Sequence, residues 1–206
     1  MTATTVKIPE LTELTFEEGP HIYRLNGVEI PSVSELMKPL KDTCYAGVGA
    51  KTLENAANKG TSVHNSIENW IKFGIEDVPA EHRGYFDGFR EWWDRYQPEV
   101  LASEMKIYHK LLQYGGTIDL LCIIDGLVTL VDFKTTYRLI EMSCGVQLEA
   151  YSQALASHGV TVGKKHILHM KKDGKWDFPE FPAKDPARLR VLGALKCLYD
   201  YDQSYK

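Results

Sequence analysis

A nearly continuous apolar run, interrupted only by Thr129, spans Leu127 to Val131, and an earlier run from Ile118 to Ile124 is interrupted only by Asp119. Between the two stands Asp125-Gly126, a dipeptide that favours a two-residue hairpin turn with positive φ. The pattern predicts paired strands over 116–124 and 127–134. If Ile124 pairs with Leu127, the register carried back from the turn sets Asp119 opposite Asp132. The nearly continuous apolar stretch at 127–131 is that of a strand covered on both faces. Towards the N-terminus, strands at 21–25 and 28–30 flank Asn26-Gly27, a second hairpin signal. Ser32-x-x-Glu35 then forms a capping box that opens a short helix through Met37. Spacing near 3.6 predicts helices over 50–73 and about 80–96, the latter stopping before Pro98. A strand at 101–109 precedes the central hairpin. A helix at 144–158, a strand at 165–171 and a helix at 186–201 follow it.

The chain has 206 residues, 44% of them hydrophobic, which suits one domain with a substantial core. No apolar run is long enough to cross a bilayer. Residues 1–9 lack the basic start and apolar stretch of a signal peptide and read as a short flexible lead-in, so a cytoplasmic protein is expected. Cys44, Cys122, Cys144 and Cys197 are scattered without C-x-x-C spacing. Free thiols follow, with Cys122 in the core.

Net charge is −4, unusual for a protein gripping nucleic acid over its whole surface. It divides unevenly: residues 1–100 carry 10 basic and 16 acidic side chains, and residues 101–206 carry 14 and 12. Basic density peaks at Lys164, Lys165, Lys171, Lys172 and Lys175, with His166 and His169 interleaved. This segment, turning at Asp173-Gly174, reads as a further hairpin. Its lysines suit either a phosphate-tracking edge or the protection of an edge strand. The aromatics Tyr85, Phe86, Phe89, Trp92 and Trp93 fit core packing of the 80–96 helix. The alternative is a base-stacking surface at the mouth of a cleft.

The candidate chemistry lies on the central hairpin. Lys134 shares a face with Asp132, because side chains alternate along a strand. Directly paired residues have Cβ atoms about 4.5–5.5 Å apart, so facing carboxylates repel. A divalent cation removes that penalty; Mg²⁺ accepts carboxylate oxygens at about 2.0–2.1 Å and leaves room for substrate phosphate. The bland alternative is a surface ion pair, but charges beside a buried strand are rarely left unpaired.

Asp119, Asp132 and Lys134 in this order resemble the signature of the PD-(D/E)XK nuclease superfamily, with Ile118 where the motif name has Pro. Three further features are similar to its RecB-like branch: Gly60-Thr61-Ser62-Val63-His64, Glu104 on the preceding strand, and Gln147 with Tyr151. Beside the resemblance, His64 and Glu68 could be a plain pair on one helix face. Likewise Glu104 could be an exposed strand residue, and Tyr151 core.

The resemblance implies an α/β (α+β), restriction-endonuclease-like αβββαβ core, with a mixed central sheet flanked by helices. It implies a single domain over 1–206, residues 1–45 being a hairpin-plus-helix extension. Metal ligands would be His64, Asp119 and Asp132, with Glu104, Glu68 and the Phe133 backbone carbonyl as further candidates. Asp119, Asp132, Lys134, Gln147 and Tyr151 would be catalytic, with Mg²⁺ or Mn²⁺ as cofactor. No iron–sulfur cluster is expected, since the cysteines lack the C-terminal grouping that holds one. The N-terminal segments His21 to Val28 and Ile30 to Ser34 are similar to the openings of stand-alone exonucleases of phage or prophage type. The implied activity is a DNA exonuclease acting at linear ends in recombination, replication or repair. Its expected partners are single- or double-stranded DNA, a homo-oligomer or a recombination protein, and no membrane. An endonuclease on the same core, a non-catalytic nucleic-acid-binding relative and a small-molecule phosphodiesterase stand as alternatives.

Overall fold

The computed structural model describes residues 6–205. It opens with an antiparallel meander of β1 (Leu14–Glu17), β2 (Ile22–Leu25) and β3 (Val28–Ile30). Asn26 and Gly27 turn β2 into β3 with φ of 50° and 81°, a left-handed pair that Asn and Gly adopt at least strain. The Ser32–Glu35 capping box is formed in both directions and starts α1 (Val33–Leu36). The seven-residue α2 (Lys38–Cys44) follows, and none of its side chains is fully buried. The long α3 (Ala50–Phe73) keeps the predicted bounds and ends at Gly74, whose φ of 66° closes the helix in the left-handed region. A 3₁₀ turn at 80–82 leads into α4 (Arg83–Tyr96).

The main sheet is mixed. Antiparallel β4 (Glu99–Tyr108), β5 (Gly115–Ile124) and β6 (Leu127–Lys134) are followed by α5 (Glu141–Ser157), which returns the chain to β7 (Lys164–Met170), parallel to β6. Two short strands, β8 (Trp176–Asp177) and β9 (Glu180–Phe181), add antiparallel to the far side of β7. The chain then enters α6 (Pro186–Gln203), capped by the Asp185 side chain. Helices flank both faces of the sheet, giving the expected α+β architecture. Leu130 of β6 packs with Leu148 and Leu155 of α5 and Leu192 of α6 on one face. Val131 and Phe133 pack with Val63, Phe86, Phe89 and Trp92 of α3 and α4 on the other. Such two-sided cover explains the nearly continuous apolar run at the start of β6.

The structure decides between two readings of the aromatics and changes two other expectations. The aromatics Tyr85, Phe86, Phe89 and Trp92 are buried core, which removes them from any base-stacking surface. The Lys-rich hairpin turns at Asp173-Gly174, but β7 is not an edge strand: β6 lies on one side, β8 and β9 on the other. Alternation sends Lys165 inward, where it is 1% exposed and pairs with Glu149 at 2.5 Å. Lys165 therefore meets neither phosphate nor solvent. In the lead-in, residues 1–5 lie outside the described residues, whereas Val6 and Ile8 pack against the core and belong to the fold.

Close approach also fixes glycine on α4. A Cβ on Gly84 would lie 1.9 Å from the Lys172 carbonyl oxygen, and one on Gly88 3.0 Å from that of Gly174. One face of α4 thus abuts the backbone of the β7–β8 turn.

Candidate metal centre

The β5–β6 ladder keeps the predicted register from Ile124↔Leu127 to Leu120↔Val131 and stops there. The next pair would set Asp119 against Asp132. Instead the Phe133 amide donates to Asp119 Oδ2 at 2.6 Å, so a side chain takes the place of a backbone partner. Regular pairing lapses at the same level on the other side. Ser103↔Leu120 and Met105↔Ile118 are paired, while Glu104 between them is skipped and has φ of 50°. A non-glycine residue held there mid-strand is strained, and such strain collects at functional sites. Where the ladders give way, the three acids are spared direct stacking of like charge.

From α3, His64 reaches this level. Its Nε2 hydrogen bonds to the Phe133 carbonyl at 3.1 Å, and its ring meets the Phe133 ring edge-on. With Nε2 donating to that carbonyl, Nδ1 faces Asp119 Oδ1 at 3.5 Å and Glu104 Oε1 at 3.9 Å. A neutral ring would aim a lone pair at two carboxylates, so Nδ1 needs a proton or a cation between them. Burial opposes the imidazolium, but the Asp119 charge and hydrogen bond, joined by Glu104, raise its pKa to about 9. Ligand atoms of His64, Glu104 and Asp119 all lie within 4.8 Å of one another and could hold a metal ion.

Asp132 and Lys134 lie alongside. Lys134 Nζ is 2.5 Å from Asp132 Oδ2, and Asp132 is 2% exposed. Lys134 engages Oδ2 as a buried ion pair. A buried carboxylate held by an ammonium, next to an imidazole nitrogen held open by its other bond, fits a metal site and its supporting shell.

Environment drives the two aspartates apart. Burial raises the Asp132 pKa against the opposing pull of Lys134. Burial acts likewise on Asp119, but His64 and Lys134 overcome it and leave that carboxyl below its usual range. Burial, followed by Asp119, lifts Glu104 to about 7. Lys134 is held above the usual lysine range: burial disfavours its charge, and Asp132 and Asp119 outweigh burial.

Gln147 and Tyr151 sit one turn apart on α5, where the Gln147 amide donates to the Tyr151 hydroxyl at 3.2 Å. Tyr151 is buried, feels the charges of Asp132 and Asp119, and keeps its phenol proton well beyond the ordinary pKa. Its ring covers Gly116, where a Cβ would approach to 2.6 Å. The remaining candidates are placed less directly. Glu68 is close enough to influence Glu104, but its carboxylate is paired with Lys72 and is not one of the converging ligand atoms. The Phe133 carbonyl already accepts the His64 hydrogen.

Sequence reasoning did not single out Lys41, whose ammonium is within electrostatic reach of Lys134 and Asp132. Nor did it find Lys59, which donates to the Thr135 carbonyl at 2.7 Å and ties α3 to the segment after β6. Neither residue belongs to a recognisable spacing; only the fold brings them to the site.

No protein-family model and no curated protein matches the chain. Among solved structures, it is similar to a Eubacterium rectale protein described as a "putative exonuclease", with 13% identity and a TM-score of 0.44. That match covers 69% of this chain and 64% of the other, so the chain spans less than two thirds of that protein's length. A second solved structure, named by a bare locus designation, matches with 12% identity and a TM-score of 0.34, over 80% of this chain and 84% of the other.

Proposed function

We propose that the chain is a metal-dependent deoxyribonuclease of the PD-(D/E)XK superfamily, RecB-like branch, which hydrolyses phosphodiester bonds at DNA ends. The observation that carries this reading is the meeting of His64, Glu104 and Asp119, beside the Asp132–Lys134 pair, at the one level where pairing on both sides of β5 lapses. The reading includes a single domain over residues 1–206, with 1–45 as an extension, and a cytoplasmic role in phage or prophage recombination, replication or repair. Its partners would be DNA and either a second copy or a recombination protein.

His64 through Nδ1, Glu104 and Asp119 would hold the divalent cation, Mg²⁺ or Mn²⁺, with the Lys134-paired carboxylate of Asp132 adjoining. Such an ion, when bound, polarises a phosphoryl oxygen and lowers the pKa of water at the site. The hydrogen bond from His64 to the Phe133 carbonyl orients the ring for this task. Lys134 stays protonated under the pull of Asp132 and Asp119, so it serves as a fixed positive charge beside the phosphate and not as a base. Asp132 anchors that ammonium at 2.5 Å. Tyr151 accepts a hydrogen from Gln147 and keeps its own to donate to a substrate oxygen.

The test is digestion of linear and covalently closed circular DNA with Mg²⁺ or Mn²⁺, run beside Asp132→Ala. Loss of the linear form alone, absent in the variant, is the expected result. Cutting of the circle would replace an exonuclease by an endonuclease on the same core. Folded protein that cleaves neither would overturn the catalytic reading.

A further inference from the structure

Lys41 is a half-buried lysine within electrostatic reach of the metal group. Lys41 lies on α2, and among the described residues no carboxylate forms an ion pair or hydrogen bond with its side chain. It is nonetheless within electrostatic reach of Lys134, Asp132 and Cys144, and Asp132 is already engaged by Lys134. Burial lowers the Lys41 pKa, and the Lys134 charge adds to that effect. A partly buried cation beside a second cation is unfavourable unless an anion completes it. Its α2 neighbour Leu40 packs against the core, while Lys41 itself is half-buried.

Tyr45, one helical turn on from Lys41, is also within reach of the Lys134 and Cys144 charges. It lines a groove of about 800 Å³ between the α2–α3 connection and the segment 136–141 that follows β6. Val48 and Leu53 form one wall, Tyr137 and Arg138 the other. Tyr137 is fully exposed there. Thr136, two residues after Lys134, also lines the groove, which offers aromatic rings with a further cation, the combination that tracks a single strand through its bases and phosphates.

Resting on the function proposed above, we propose that Lys41 binds a backbone phosphate of the substrate strand and that this groove carries the strand away from the metal group. Lys41 would thus touch substrate without belonging to the metal shell.

The test is binding of a fluorescein-labelled oligothymidine to the full chain, followed by anisotropy in chelator across a salt series. Wild type is compared with Lys41→Gln, Lys41→Arg, Val48→Glu in the groove wall, and Lys184→Gln as an exposed control. Removing one phosphate contact should weaken binding about 5- to 20-fold at low salt and flatten the log–log salt slope by about 0.7. Lys41→Gln should show both effects, Val48→Glu the weakening, and Lys41→Arg and Lys184→Gln neither. With Mn²⁺ and linear DNA, Lys41→Gln should raise KM while kcat stays within about threefold, as expected for lost substrate binding. Its melting temperature should match wild type. Wild-type affinity and slope in Lys41→Gln, or an equal loss in Lys184→Gln, would overturn the phosphate contact while leaving the nuclease reading intact. Wild type that neither binds nor cleaves would overturn both.

Discussion

Replacing Asp119 by Asn and by Ala separates what this carboxylate does for the fold from what it does for the metal. Both variants lose the negative charge, so both relieve its repulsion with Glu104 and Asp132 and both strip His64 of its nearest counter-charge. Only Ala also removes the acceptor of the 2.6 Å bond from the Phe133 amide. That amide is buried at the point where the β5–β6 ladder has stopped, and a buried donor left unsatisfied costs about 1–3 kcal/mol. The charge effects are shared, so the Ala variant should be less stable than the Asn variant by roughly that amount. Urea unfolding of chelator-treated protein at pH 7 measures it. With a slope of about 2–3 kcal/mol/M, the midpoints should differ by about 0.3–1.5 M. Adding Mn²⁺ at about a hundred times its Kd should stabilise wild type by roughly 2.7 kcal/mol and neither variant. Both should fail to cleave DNA. Coincident midpoints for Asn and Ala would refute the structural role of the Phe133 bond. Wild-type Mn²⁺ stabilisation in Asp119→Asn would refute the metal role.

Lys134→Ala should abolish cleavage and leave Asp132 buried without a counter-charge, a loss of up to about 3–5 kcal/mol. The carboxyl can escape by taking up a proton. Its folded pKa then stands above the unfolded value, so the variant should be closer to wild type at pH 5 than at pH 8 in thermal melts; an equal deficit at both would contradict this. In chelated wild type, the folded His64 pKa of about 9 lies above its ordinary 6.5. The stability it contributes is complete below about pH 6.5 and fades as pH rises through about 9, so melting temperature should fall across that window. Saturating Mn²⁺ should flatten the decline, and a profile unchanged by metal would argue against His64 as a ligand. Gly84→Ala drives a Cβ to 1.9 Å from a backbone carbonyl and should cost about 1–3 kcal/mol in urea unfolding, against little change for Gly193→Ala on α6, where no atom lies within 4 Å.

The sequence showed the central hairpin, its register and its turn because Asp-Gly between two near-continuous apolar runs fixes the pairing of Ile124 with Leu127. It also showed α1, through a capping box whose two hydrogen bonds form as written. What escaped has a physical reason in each case. α2 has no fully buried face and therefore no period to detect, and Lys41 went unseen with it. β8 and β9 are two residues each, too short for alternation to register. The lysines of β7 suggested an edge because a sequence cannot show that Glu149 of α5 waits beneath Lys165. His64 was named from its motif, but the choice of Nδ1 as the open nitrogen needs the Phe133 carbonyl, far away in sequence. The register likewise pointed to Asp119 facing Asp132, and only the structure shows the ladder yielding before the two meet.

Because the Phe133 amide takes Asp119 as its partner, the final rung of the sheet is made by the same carboxylate that would grip metal. Assembly of the cluster and closure of the fold are then one event. A chain still on the ribosome, or one with β5 slipped by a residue, has scattered carboxylates and no concentrated negative field to attract a cation. Under the proposed function, immature copies are harmless to the nucleic acid around them. No inhibitor or pro-segment is required for that safeguard, because the site does not exist until the sheet does.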